Sequence, residues 1–284
     1  MADLVRLGRF QERLIWVSGV SPESWPAWRT LLLAYSDASR NLVPEGRRTA
    51  LVVPLAGVGF QQPDVSDVAV THWQFRDVVH RDDLFVMALQ HEDGRPSRHR
   101  VSRALRANSV AHISQWDHTL AERLLEADLQ SALQPRAILE SYARERGWTA
   151  ATAENWEVGT VDGPRNRPLV HSALLAVQGR EAELDRRLWA AQASVLLPLL
   201  EERRVELIDR HRSHFKLPFE TELGRFEEPD DLELGSLLYY FHLHGPPNGK
   251  AMGEAKRLRA ARNKLAHIKP LKPSEALHPV VLGA

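Results

Sequence analysis

Apolar and polar positions follow two different rhythms along this chain. In the first hundred residues, short apolar runs alternate with an amphipathic stretch. "RLIWVSGV" (13–20) predicts a strand. "SPESWPAWRTLLLAYSDASR" (21–40) predicts a helix, with Ser21 or Ser24 as cap and a proline in its first turn. "ALVVPLAGV" (50–58) predicts a buried strand that Pro54 assigns to an edge or a bulge. "DVSDVAVTHW" (64–73) and "DDLFVMALQ" (82–90) predict two more strands, for a small parallel or mixed sheet.

From about residue 100 the spacing changes to three and four. "SRALRANSVAHISQW", "HTLAERLLEADLQSAL" and "PRAILESYARERGW" all predict helices. Residues 149–170 are rich in Gly, Pro, Thr and Asn, as in a linker. Beyond 171 three helices are expected. The first covers "ELDRRLWAAQASVLLPLLEERRVELIDRHRSHF", kinked or split at Pro198. The second covers "DDLELGSLLYYFHLH" and the third "KAMGEAKRLRAARNKLAHI", with a turn at "GPPNG" between them. The expected organisation is an α/β N-terminal domain with a helical extension (1–148), a linker (149–170) and an all-α C-terminal domain (171–284). Trp25, Trp28, Trp73, Trp189, Tyr239, Tyr240 and Phe241 are expected in the core.

Composition removes several classes of chemistry. No cysteine occurs among the 284 residues, which excludes disulfides, thiol nucleophiles and cysteine-ligated zinc. No run approaches eighteen apolar residues and the first residues make a poor secretory signal, so a cytoplasmic protein with no membrane partner is expected. The chain has only six lysines, the first of them Lys216. A phosphate-binding loop of the usual kind needs a lysine after its glycines, so the N-terminal part carries none. "HGPPNGKA" has the wrong glycine spacing, and Ala251 stands where a magnesium-binding hydroxyl belongs. There is no Gly-x-Ser-x-Gly elbow. His211 with His214, and His242 with His244, have metal-ligand spacing, but no carboxylate motif completes a site and no metal is expected.

The formal net charge is zero, yet residues 250–272 hold eight cations against Glu254 alone, a local +7. Such a strip attracts phosphate. On a helix, Leu258, Ala261, Leu265 and Ile268 share an arc and should face the core. Asn263 and His267 stack on the opposite side with Lys256, and Arg262 sits at the edge of the apolar stripe, able to lean outward. Histidine can take or give a proton near neutrality, and arginine offers a permanent charge with two parallel donors. These are the groups needed when an RNA 2′-hydroxyl attacks its neighbouring phosphate. One helix supplies one histidine, so a two-fold dimer would bring two sets together.

"RNKLAH" (262–267), Arg-Asn-x-x-x-His, resembles the signature of the HEPN superfamily (higher eukaryotes and prokaryotes nucleotide-binding). The resemblance extends over 176–270 and implies an α-helical domain. It further implies a metal-independent, cofactor-free endoribonuclease that dimerises around the motif and leaves a 2′,3′-cyclic phosphate. Arg262, Asn263 and His267 would be catalytic, and Lys256, Arg259 and Lys264 would bind RNA. The implied setting is a prokaryotic defence or toxin–antitoxin system, with a separate ATPase or an antitoxin as partner. The alternative is a non-catalytic dimerisation module that senses a ligand or partner within a larger defence complex. "RANSVAH" (106–112) and "RNRPLVH" (165–171) are decoys that looser spacing admits. On strand order and "RLIWVSGV…W", the N-terminal half resembles the rear of a signal-transduction ATPase lacking its phosphate loop.

Overall fold

The structure, a computed structural model, describes residues 5–6, 11–55, 60, 71–93, 100–221 and 224–283. The chain divides into two compact units, one formed by 1–78 with 154–169, the other by 79–153 with 170–284. A mixed α/β N-terminal region is followed by a mostly helical remainder.

In the first unit, β1 (Leu14–Trp16) pairs in parallel with β2 (Ala50–Val52), with Leu14 opposite Ala50 and Trp16 opposite Val52. The crossover between them is α1 (Trp25–Leu42), as parallel neighbours require. Ser24 is its N-cap residue and Pro26 lies in its first turn, although no side chain caps it. Trp25 is buried and meets Phe60 edge-on. β2 stops two residues before Pro54 and is only half-buried, shorter and more open than its apolar run suggests. Residues 71–73 are not a strand, and 64–70, the rest of that expected element, lie outside the described residues. Trp73 is 85% exposed, so its expected place in the core is corrected. Residues 154–169 belong with this unit: Asp162 accepts from the Asp77 amide (2.9 Å), and Arg76 donates to the Gly163 carbonyl (3.0 Å). The expected division cuts the chain elsewhere because it weighs Gly and Pro content and sees no long-range bonds.

The second unit is helical. Here "DDLFVMALQ" is a correction: it lies in α2 (Arg81–Asp93), not in a strand. The Asp83 carboxylate accepts the His80 amide (2.8 Å), closing the first turn, and Leu84, Ala88 and Glu92 are buried at four-residue spacing. Next come α3 (Arg100–Ser114), α4 (His118–Glu126), α5 (Leu129–Leu133), α6 (Arg136–Glu145) and α7 (Ser172–Val177). The thirty-residue α8 (Glu181–Arg210) runs unbroken through Pro198. A proline costs about 3 kcal/mol in an isolated helix. Here Leu196, Leu199 and Leu200 are buried around it, which offsets that cost. α8 packs on α3 along one side, and on α10 (Gly249–Ala266) along another. α9 (Leu234–His244) lies against α10 and buries Leu237, Leu238, Tyr240 and Phe241. Tyr239, expected inside, is 48% exposed, because it stands on the far side of the helix from Leu237 and Phe241. Two short helices, α11 (Pro273–Ala276) and α12 (Pro279–Leu282), follow. Among the described residues, no helix is long and apolar enough to cross a membrane.

Candidate functional site on the last long helix

α10 begins at Asn248, whose side chain accepts the Ala251 amide at 2.8 Å, so the expected "GPPNG" turn doubles as a cap. One turn in, Glu254 is buried and grips Arg210 of α8 with both oxygens (2.5 and 3.2 Å). Leu258, Ala261 and Leu265 face the core as the periodicity demands. Ile268 does not: it is 53% exposed. The helix ends at Ala266, two residues before Ile268, so the helical period no longer sets the direction of that side chain.

That ending is unusual. His267 is the C-cap, its amide bonded to the carbonyls of Asn263 and Lys264 (3.1 Å each). The Lys269 amide reaches the Lys264 carbonyl (3.0 Å) and the Ile268 amide reaches that of Leu265 (3.2 Å). This is a Schellman ending, with Ile268 at the left-handed position, φ +58°. Glycine is the residue that fits there without penalty, whereas a β-branched side chain costs about 1–2 kcal/mol. α8 holds the strained turn from both sides. The Trp189 indole N–H donates to the Leu265 carbonyl (2.6 Å). The buried Gln192 amide donates to the Leu271 carbonyl (3.0 Å) and accepts the Leu271 amide (2.6 Å). His267 therefore sits exposed on a short, braced segment.

Arg262 and Asn263 are half-buried on the outward side of α10 and border a concavity of about 170 Å³. Arg259, Glu201 of α8, and Glu233, Leu234 and Gly235 at the start of α9 complete its lining. His267, Lys256 and Lys264 are not part of that wall. Arg262 lies 3.7 Å from the Glu233 carboxylate, with the arginine side chain partly and the glutamate largely open to solvent. Such a pair is worth about 0–1 kcal/mol and yields readily to a competing anion. Lys264 pairs with Glu275 at 2.5 Å, so its charge is already matched, while Lys256 and Arg259 are exposed. The +7 of the sequence strip is thus partly neutralised by Glu233 and Glu275, acids from other elements that no local pattern announces.

The histidine pairs with metal-ligand spacing do not share a helix face. His211 ends α8, while His214 follows in a 3₁₀ turn and bonds through Nε2 to the Gly245 carbonyl (2.8 Å). Among the described residues no group of three or more potential ligands converges.

A second cluster was missed entirely in the sequence. His171, 1% exposed, caps α7 by accepting the Ala173 amide at Nδ1 (3.1 Å), which places the ring proton on Nε2. Nε2 then donates to Asp117 (3.1 Å). Asp117 also caps α4 through the Leu120 amide (3.1 Å) and accepts the Tyr142 hydroxyl (2.5 Å), to which Arg146 donates in turn. Burial drives the His171 pKa down, more strongly than the hydrogen bond to Asp117 drives it up. For Asp117 burial pushes upward, but the hydrogen bonds from His171 and Tyr142 prevail and hold its carboxyl well below the usual range. Tyr142 is raised, first by burial and then by Asp117. The same four groups would suit proton transfer, but both ring nitrogens of His171 and both oxygens of Asp117 are already bonded, joining three helices.

A scan of family models, a search of curated proteins and a search of solved structures each return no match for this chain.

Proposed function

We propose that the chain is a metal-independent endoribonuclease of HEPN type, whose reaction centre forms when two copies meet across the outward face of α10. One arrangement carries this reading: a guanidinium and a carboxamide on the rim of a concavity, with an exposed imidazole one helical turn further on, on a strained and braced segment. Backbone strain is retained where geometry matters more than stability. Arg262 would grip the scissile phosphate with its fork, and Asn263 would orient the phosphate or the imidazole. One His267 would take the 2′-hydroxyl proton as the 2′-oxygen bonds to phosphorus. The partner copy's imidazole would protonate the 5′-oxygen as its bond to phosphorus breaks. The products are a 2′,3′-cyclic phosphate and a free 5′-hydroxyl. Lys256 and Arg259 would contact the bound RNA, and Lys264 contributes less because Glu275 occupies it.

The test is cleavage of mixed-sequence RNA in EDTA by wild type and His267→Ala, with analysis of the new 3′ ends. Loss of cyclic-phosphate product in a folded variant is expected, and persistent cleavage refutes the assignment.

The engagement of Arg262 by Glu233 and of Lys264 by Glu275 favours a second reading, a non-catalytic dimerisation module within a larger defence complex. In that case His267→Ala changes nothing and RNA is not cleaved.

A further inference from the structure

We propose that the concavity beside Arg262 is a recognition pocket for a guanine base, so that the RNA cleaved carries guanosine on the 5′ side of the broken bond; the substrate part of this inference rests on the ribonuclease reading above. The pocket is lined by two kinds of group in nearly equal number. Arg259, Arg262 and Asn263 donate, while Glu233 accepts, and so does Glu201, one of whose oxygens already takes a hydrogen bond from Arg204 (2.8 Å). A site for phosphate alone has no use for carboxylates, which repel it. Guanine is the nucleobase whose perimeter matches the mixture. Its N1–H and 2-amino group present two adjacent donors that fit the two oxygens of one carboxylate. Next to them, O6 and N7 present two adjacent acceptors that fit one arginine fork. Adenine, cytosine and uracil each lack at least one of these paired edges. Bases in single-stranded RNA are read on such edges.

The dimensions agree. A concavity of about 170 Å³ is large enough for one planar base. Gly235 also lines it, and a side chain there would meet nothing within 4 Å, so packing does not require the glycine. A carboxylate and a guanidinium already stand side by side at 3.7 Å, in the Glu233–Arg262 pair, so an acceptor for the base and a donor for its 3′-phosphate are held next to each other. Asn263 lines the pocket and lies four residues, about 6 Å of helix rise, from His267. A base seated there directs its 3′-phosphate toward the imidazole. Recognition and catalysis are also coupled: a guanine that takes Glu233, with Arg259 on its O6 and N7 edge, draws the carboxylate off Arg262 and frees that guanidinium for the phosphate.

The experiment is calorimetric binding of the four nucleoside 3′-monophosphates to the full chain in EDTA, where no cleavage is needed for a signal. Guanosine 3′-monophosphate should bind at least about tenfold more tightly than the other three, and inosine 3′-monophosphate, which lacks the 2-amino donor, should fall between. Glu233→Gln should erase the guanosine preference. Gly235→Leu should fill the pocket, abolish the preference and leave the thermal midpoint no lower. Equal affinities, or no binding at millimolar nucleotide, overturn the proposal. Tighter binding of guanosine 5′-monophosphate than of the 3′ isomer overturns the RNA source in favour of a free nucleotide. Guanosine preference without RNA cleavage sinks the ribonuclease reading and spares the pocket; cleavage with no base preference does the reverse.

Discussion

Two stretches of this chain contain Arg-Asn followed within a few residues by His, at 165–171 and at 262–267. Their histidines have opposite fates. His171 is sealed in the second unit, both ring nitrogens bonded, its ring stacked against Tyr142 and edge-on to Trp116 and Trp148. His267 stands in solvent at the end of a helix. Reactive potential follows from what remains unbonded and reachable. A histidine whose donor and acceptor are both consumed by helix caps is a rivet, whatever letters precede it.

The contrast can be broken at either end. The largest expected effect is on chemistry: His267→Ala should lower RNA cleavage by about 10²–10⁴-fold. Its urea midpoint should stay within about 0.5 kcal/mol of wild type, as for a surface change. An unfolded His267→Ala would erase the distinction. His171→Ala should do the opposite. It leaves Asp117 short of a partner, uncaps α7 and opens a cavity among three aromatic rings, at a cost of about 3 kcal/mol or more in chemical denaturation. Any fall in its cleavage should track the folded fraction.

Acid sharpens the same contrast. Burial, aided by the charge of Arg81, lowers the His112 pKa to about 4, and burial lowers that of His171 as well. Both therefore resist protonation in the folded chain, His112 down to about pH 4, while the unfolded chain takes up protons near pH 6.5. Stability is full above that value and declines as pH falls toward 4, by at most about 1.4 kcal/mol per pH unit for each ring. The depressed Asp117 adds nothing to this window. Its contribution is present above the ordinary aspartate pKa and is lost only in stronger acid, as pH falls through the folded value. Urea melts between pH 7 and 4.5 should show the decline, and His112→Gln should flatten it. A flat wild-type profile would mean that these rings are wet.

The smallest effect is a gain. Ile268→Gly removes the left-handed penalty and gives up little burial, so it should stabilise by about 1 kcal/mol in thermal or urea denaturation. A loss of stability would show that the isoleucine contributes contacts that its 53% exposure hides.

Much of the helical half was legible because its code is local. Leu258, Ala261 and Leu265 declare the buried side of α10, and Asn248 declares its start. Errors cluster where local code is ambiguous or silent. Six apolar residues in a row at 84–89 fit a buried strand as well as a helix, and the deciding signals were Asp83 at the first turn and the four-residue spacing from Leu84 through Ala88 to Glu92. Ile268 fits the helical arc only if the helix continues, and hydrophobic period does not mark where a helix stops. Trp73 was assigned to the core on residue type alone. The chemistry was half legible. Arg262, Asn263 and His267 lie close together in sequence, but Glu201 and Glu233 arrive from other elements. The Glu92–Arg106 ion pair, both partners fully buried at 3.5 Å, joins two helices with no spacing rule between them.

The indole of Trp189 has a use beyond support. Its N–H is hydrogen-bonded to a carbonyl only two residues before His267. Of the eight indole signals in a proton spectrum, the one that Trp189→Phe deletes reports directly on that segment. Arrival of RNA or of a second copy at the imidazole should move that line first, giving a label-free titration of the site in the intact chain.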